Sequence, residues 1–322
     1  MRIAITGGSG FVGLAAAEAL VQHGHDVTLL DLSPPPADFA SHGALRQTRF
    51  HRADVRDAGA LGQALATARP DVLIHMAALT ANDAMEKTAA AAIIAVNVGG
   101  TATVIEAAAR QGCRRIISLS SIAVYGARGG DFGGRESIDE TTSRRPDTLY
   151  GITKSAAEDV ARRLAELHGL DLTILRLGPI FGAWEHPGDA RPDLSPHAQI
   201  LAQTAPRLAH EMRADWLYSR DAGAAIAKVA EKKDLGVQTF NLGAGRMSSL
   251  LEWAEAAGLA SPEMSPGAAT VTLRTPRSRP PLAIDRLRDV IDYVGTRPLS
   301  EAAADHMAWL QTLTSKTEQS IR

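Results

Sequence analysis

The chain has 322 residues, 45% of them hydrophobic, with 34 Lys and Arg against 36 Asp and Glu and a formal net charge of −2. That length supports one large domain or two unequal ones around a substantial core. The interspersed charges offer neither a basic block for nucleic acid nor an acidic tail, and the single cysteine, Cys113, excludes an internal disulfide framework and fits a reducing compartment.

We find no apolar run approaching the ~20 residues a bilayer-spanning helix needs. Met1 leads directly into the strand-like "RIAIT", so no signal or transit segment is expected ahead of the fold. These readings give a cytoplasmic protein without nucleic-acid or membrane partners, and we assign it no metal.

Short β-branched runs alternate with Ala-rich helical stretches up to about residue 177. "RIAIT" predicts a strand, "GFVGLAAAEALVQHG" a helix closed by Gly24, "DVTLLD" and "RFHRAD" two more strands, and "ALGQALATA" the next helix. "DVLIHMAA" is strand-like, a long helix is expected from about Met85 to Gln111, and "RRIISLSS" follows as a strand. A helix running to about His168 and the strand "DLTILRLG" complete the series. Such alternation argues for a doubly wound α/β fold, a parallel sheet with helices on both faces.

After Gly178 the rhythm breaks into the Pro/Gly-rich "PIFGAWEHPGDARPDLSP". "RADWLYSRDAGAAIAKVAEK" reads as a strand, an N-cap at Asp221 and a helix, and "VQTFNLGAG" as another strand. We expect a nucleotide-binding domain from residues 1–178 plus about 214–244. A smaller substrate-binding region would then take about 179–213 plus 245–322.

"TGGSGFVG" follows the first strand and opens the first helix. Gly7 permits the tight turn, Gly10 lets backbone N–H groups approach a pyrophosphate, and Gly13 lets helix pack on strand. In this strand–loop–helix setting the stretch Gly7, Gly10, Phe11, Val12, Gly13 reads as a dinucleotide site. Asp31, about 20 residues on, can accept both hydroxyls of the adenosine ribose and would repel a 2′-phosphate, which selects NAD over NADP. Asp54 either binds the adenine amino group, with Val55 beside it, or caps the next helix.

"LYGITK" places Tyr150 and Lys154 one helical turn apart, on one face. A free tyrosine, with a pKa near ~10, is a poor base at neutral pH. An ammonium one turn away, with the nicotinamide's positive charge, favours its phenolate.

"TGGSGFVG", "HMAA" at 75–78, "VNVGGT" at 96–101, "SSIAVYG" at 120–126, "YGITK" at 150–154 and "LRLGPIFG" at 175–182 come in an order that resembles the extended short-chain dehydrogenases/reductases, the NAD-dependent epimerase/dehydratase family. "ADWLYSRDAGAAI" and "TFNLGAG" are similar to its C-terminal landmarks, so the resemblance spans nearly the whole chain. It implies a Rossmann fold, NAD as cofactor, and a catalytic triad of Ser121, Tyr150 and Lys154. Tyr150 would be the base, Lys154 would hold the nicotinamide ribose, and Ser121 would bond the reacting oxygen.

Met76, Ala77 and Ala78 would leave room for cofactor, Asn97 and Pro179 are further candidate cofactor contacts, and Asn97 would also satisfy buried backbone groups in its helix. Thr80, Ala123, Trp184, Arg213 and Trp216 are candidate substrate contacts. His75 reads as a packed strand-end histidine and Tyr125 as structural.

Dehydratases of the family carry an Asp-Glu pair where this chain has Ile122 and Ala123, which disfavours elimination. Nucleotide-sugar members usually read R-x-x-N where this chain ends in Pro179, which offers no amide. Arg213, Arg277 and Arg279 could still clamp a diphosphate, the last two equally forming a solvated basic loop. The expectation is an NAD-dependent oxidoreductase acting on a secondary alcohol of a sugar or sugar acid. A UDP-sugar 4-epimerase that retains NAD is the nearest alternative, and a non-catalytic dinucleotide sensor a remote one. Relatives dimerise through the helix after "VNVGGT" and the helix holding Tyr150, so a homodimer is expected.

Overall fold

The computed structural model describes residues 1–126, 132, 134–272, 279–292 and 296–320, with side chains to residue 313. In chain order, β1 (Arg2–Thr6), α1 (Phe11–Gln22) and β2 (Asp26–Asp31) are followed by the short α2 (Ala37–Ala40), a 3-10 turn (Gly43–Gln47) and β3 (Arg49–Arg52). Next come α3 (Ala58–Ala68), β4 (Val72–His75), α4 (Asp83–Thr88), α5 (Ala90–Ile94), a π turn (Ala95–Gly99) and α6 (Gly100–Arg110). β5 (Arg115–Ser121) runs into a 3-10 turn (Ile122–Tyr125), then α7 (Leu149–His168) and β6 (Asp171–Leu177). The remainder holds β7 (Ile180–Phe181), α8 (Pro196–Leu201), β8 (Arg207–Leu208), β9 (Leu217–Tyr218), α9 (Ser219–Glu231) and β10 (Val237–Leu242). It ends with α10 (Leu250–Ala256), β11 (Glu263–Met264), α11 (Asp285–Ile291) and α12 (Leu299–Ser320).

Strands apolar at successive positions must be covered on both faces. In β1, Ile3 and Ile5 join one core with α1 and α9, while Ala4 joins the other with α3, α6 and α7. The sheet is seven-stranded and parallel, in the order β10-β6-β5-β4-β1-β2-β3. This is the expected doubly wound α/β fold. The strand order reverses beside β1, the place where such sheets open a crevice for ligands.

Three expectations are corrected. The helix expected over 85–111 is interrupted: Ala89 leaves helical geometry at φ −135° and the π turn holds Asn97. The turn inserts one residue where Asn97 must reach both the loop after β4 and α7. Asp221 does not cap α9; Tyr218 holds that position, and the Asp221 carboxylate accepts from the Arg297 N–H at 2.9 Å. The continuous run Ala90–Arg110, 21 residues, is long and apolar enough to cross a membrane, contrary to the sequence reading. Here it lies in the helical layer between α3 and α7.

Candidate active site

Thr148 caps α7 by accepting from the Gly151 N–H at 3.1 Å, which places Tyr150 in the first turn. One turn on, Lys154 is 7% exposed and donates from Nζ to the Leu119 carbonyl of β5 at 2.7 Å. Burial lowers its ammonium to about 8, with the Glu158 carboxylate opposing. Ser121 ends β5, its Oγ accepting from the Ala123 N–H at 3.1 Å.

The first turn of α7 is braced from beneath. Asn97 accepts from Leu79 N at 2.8 Å and donates to Leu79 O at 3.1 Å and Thr153 Oγ at 3.0 Å. Thr153 Oγ donates to the Tyr150 carbonyl at 2.9 Å. With its amide consumed in this way, Asn97 stands outside the cofactor cleft and is corrected from a cofactor contact to a brace.

His75 is buried in a chain that fixes its tautomer. Thr101 gives its one hydroxyl proton to Asn97 O at 2.7 Å, so it accepts at 3.0 Å from His75 Nε2–H. His75 Nδ1 must then accept from the Thr6 hydroxyl at 2.7 Å. Burial, reinforced by Lys154, lowers the imidazole to about 3. It is a neutral structural residue.

Two clefts meet at Tyr150. One, of about 240 Å³, is lined by Gly7, Gly10, Phe11, Val12, Gly13, Asp31, Asp54, Val55, Met76, Ala77, Ala78, Tyr150 and Lys154. The other, of about 360 Å³, is lined by Thr80, Ser121, Tyr150, Pro179 and Trp216 among others. Thr80 borders both, whereas Pro179 stands on the second only.

The first cleft fits a dinucleotide. Gly7 has φ +70°, and a Cβ there would sit 2.7 Å from the Ala77 nitrogen, so the turn admits no side chain. Gly10 stands at the N-cap of α1 and offers no side-chain cap, leaving the first N–H groups of the helix for a phosphate. At the far end the Asp31 carboxylate accepts from Ser9 N at 3.0 Å and Leu32 N at 2.8 Å. Burial raises its pKa, and these two N–H groups oppose that. Asp54 does not cap α3, a role held by Asp57, and its carboxylate is engaged by Arg56 at 2.6 Å.

Four substrate expectations meet different fates. Trp216 borders the second cleft. Trp184 is corrected: it is fully buried, its Nε1 donates to Glu18 at 2.9 Å, and its ring packs edge-on to Phe39 and Trp309. Arg213 is corrected too, held on the exterior by Glu211 at 3.1 Å and Glu252 at 2.9 Å, outside both clefts. Ala123 is buried in its 3-10 turn, away from both clefts. Arg277 lies outside the described residues; burial lowers the Arg279 guanidinium to about 10, against the pull of Asp147, unlike a solvated loop residue.

Sequence reasoning missed Arg191, which lines both clefts, as does Ser120 beside Ser121. Arg191 is fixed by the buried Glu185, which accepts from its Nη2 and from Ser195 N and Oγ, each at 2.6 Å. The loop carrying it docks on the rim after β4, through Thr80 N to Ala190 O at 2.8 Å and Asn82 Nδ2 to Asp193 at 3.2 Å. The 183–196 loop is thus laid across the site. Its Pro/Gly-rich composition has no periodicity that could have pointed to Arg191.

Fold and clefts together define a dinucleotide-binding enzyme of the short-chain dehydrogenase/reductase type. The sequence profile of the NAD dependent epimerase/dehydratase family matches residues 3–243, and the chain belongs to that family. It is 30% identical to the dTDP-L-rhamnose 4-epimerase of Burkholderia thailandensis over 310 residues, covering 81% of this chain and 82% of that protein. It is 28% identical to the probable dTDP-glucose 4,6-dehydratase of Sinorhizobium fredii, covering 76% and 71%. Its fold matches the UDP-glucose 4-epimerase of Thermotoga maritima solved with UDP-glucose, at TM-score 0.79 and 23% identity over 97% and 99% of the two chains. The family is NAD-dependent, in agreement with the cofactor expected from Asp31.

Proposed function

We propose that this enzyme transfers hydride from a secondary alcohol of a small sugar or sugar acid to NAD. The observation that carries the reading is the position of Tyr150 in the wall between the glycine-loop cleft and the second cleft. NAD, when bound, accepts the hydride. Tyr150 Oη takes the proton of the substrate hydroxyl, and the adjacent Lys154 ammonium favours the phenolate that does so. Ser121 Oγ donates to the reacting oxygen and holds it against Tyr150. Lys154 also holds the nicotinamide ribose, and the Asp31 carboxylate accepts from the adenosine ribose hydroxyls. The 183–196 loop keeps water from the site.

A second reading, a nucleotide-sugar 4-epimerase with retained NAD, is favoured by the likeness to dTDP-L-rhamnose 4-epimerase. Pro179 argues against it, because it replaces an amide side chain with none. The two differ in cofactor turnover. With purified protein, NAD and a panel of sugars, aldonates, uronates and UDP-sugars, the first reading expects the absorbance of NADH to accumulate, and Tyr150→Phe to abolish it. Conversion of a UDP-sugar to its epimer with no net NADH would replace it by the second.

The reading carries further proposals. Residues 1–178 plus about 214–244 would form the NAD-binding domain, supported by the return of β10 to the sheet beside β6. A homodimer through α6 and α7 is supported by Ile94 and Ile152, 48% and 49% exposed on the α5 and α7 surfaces. A reducing, cytoplasmic setting is supported by the one cysteine, buried and unpaired.

A further inference from the structure

Tyr150, Lys154 and Glu158 succeed one another at one-turn intervals along α7 and share its inner face. Lys154 meets β5 at the Leu119 carbonyl. Glu158, 2% exposed, accepts from Ser120 Oγ of β5 at 2.6 Å and from Arg176 of β6 through Nε at 2.9 Å and Nη2 at 2.8 Å. Arg176 is 4% exposed and turns Nη1 to Tyr125 Oη at 2.8 Å.

The chemistry of hydride transfer needs no carboxylate here. Stability alone does not call for one either: apolar residues would fill the space without desolvating two charges. What the carboxylate does is tie the catalytic helix to the two strand ends beside Ser121, and place a negative charge one turn from Lys154.

We propose that Glu158 is the positioning residue of the Tyr150–Lys154 pair, holding α7 in register on β5 and β6 and supplying the negative field that keeps the Lys154 ammonium charged in its dry setting. The inference rests on the reading that this pair handles the substrate proton. Among the described residues, the groups that act on Lys154 are Glu158 from its own helix, one turn beyond it, neutral His75 from β4 and the Leu119 carbonyl from β5, with Tyr150 one turn before it. Behind Glu158 stand Arg176 from β6 and, on α7 and the segment before it, Arg162 at 3.2 Å and Arg144 at 3.5 Å. Among these groups Glu158 is the carboxylate that offsets the burial of Lys154.

The test follows Lys154 itself, by carbon NMR of protein isotope-labelled at lysine Cε, with Lys154→Met identifying the resonance. The wild-type midpoint is expected at about 8. Glu158→Gln keeps the size and the bond to Ser120 but removes the charge, and should lower the midpoint by about one pH unit. Glu158→Asp keeps the charge but shortens the reach; it should lose stability while the midpoint stays in place.

If Glu158→Gln does not fold, the neutral pair Glu158→Gln/Arg176→Gln asks the same question without a stranded guanidinium, with a fall in the same direction but smaller, because the opposing Arg176 charge is removed with it. A midpoint unmoved by removing the charge, or lowered equally by Glu158→Asp, overturns the proposal. The measurement needs no substrate, so it succeeds or fails apart from the sugar-oxidation reading. That reading fails alone if no alcohol is oxidised or Tyr150→Phe retains turnover.

Discussion

The guanidinium of Arg191 lies over the Phe11 ring, 5.0 Å from its centroid. A residue of the 183–196 loop is thereby fastened to the first residue of the cofactor-side helix, and its Nη1 is buried with no acceptor among the described residues. Removing the cation should loosen the cover over the dinucleotide. We expect Arg191→Met to weaken NADH binding about tenfold, the worth of one partly desolvated cation–π contact. Fluorescence titration of NADH reads this directly, and unchanged affinity would separate the loop from cofactor retention.

Gly151 follows Tyr150 where α7 crosses the turn after β5. A Cβ there would stand 2.6 Å from the Ala123 carbonyl oxygen, a clash with backbone that no rotamer relieves. Gly151→Ala should therefore push the first turn of α7 away from Ser121. The expected cost is about 1–3 kcal/mol, with a fall in Tm of several degrees by calorimetry. Turnover should fall more than cofactor affinity, because the displaced turn carries Tyr150.

Asp31 meets the cleft with a carboxylate already ordered by Ser9 and Leu32. Replacing it by Ser removes the charge that, in the proposed NAD site, would accept from two ribose hydroxyls and repel a 2′-phosphate. NAD affinity should drop by about ten- to a hundredfold, given roughly 1.5–3 kcal/mol for hydrogen bonds to a charged group. NADP affinity should rise. Calorimetric titration of both cofactors against the variant decides it, and an unchanged NAD/NADP ratio would remove Asp31 from cofactor choice.

How legible all this was depended on range. The glycine loop and the Tyr150–Lys154 pair are written in adjacent residues, so local geometry alone brings them together. Trp184 and Arg213 were misread because a residue's exposure is decided by distant segments. Glu18 and Trp309 bury the one; Glu252 holds the other on the exterior. The π turn at Asn97 left no trace in composition, since an inserted residue does not change which residues are helix formers. Arg191 sat in a loop with no pattern, and its partner Glu185 is defined only once the loop has closed.

Three buried histidines predict the acid limb of stability. His197 is fully buried with neither ring nitrogen bonded among the described residues, stacked on Phe181 at 4.0 Å and edge-on to Trp216 and Trp253. Burial depresses it well below the ordinary value, and likewise lowers His306 to about 4 and His75 to about 3. Below pH ~6.5 the unfolded chain takes up protons that these folded rings refuse, so stability falls with pH.

Above that pH they contribute no slope. Each adds about 1.4 kcal/mol per pH unit until its folded pKa is passed. Asp215, raised by burial to about 6, opposes one of them between roughly pH 6 and 4. His197→Phe keeps the stack and should be at least as stable as wild type at neutral pH, with a shallower loss between pH 6 and 5. Urea unfolding at both pH values measures the difference.

Tyr125 donates to Asn241 Oδ1 at 2.8 Å, so the cluster around Arg176 is closed only by a strand from late in the chain. On the ribosome, the other six strands of the central sheet and α7 emerge before that partner exists. Until β10 leaves the exit tunnel, α7 is anchored on an unfinished sheet edge, and a truncation that stops short of it is expected to leave the Arg176 cluster open. The support beneath the site would thereby be completed only near the end of synthesis, and chains truncated before Val237 should bind NADH more weakly than the full chain in a fluorescence titration.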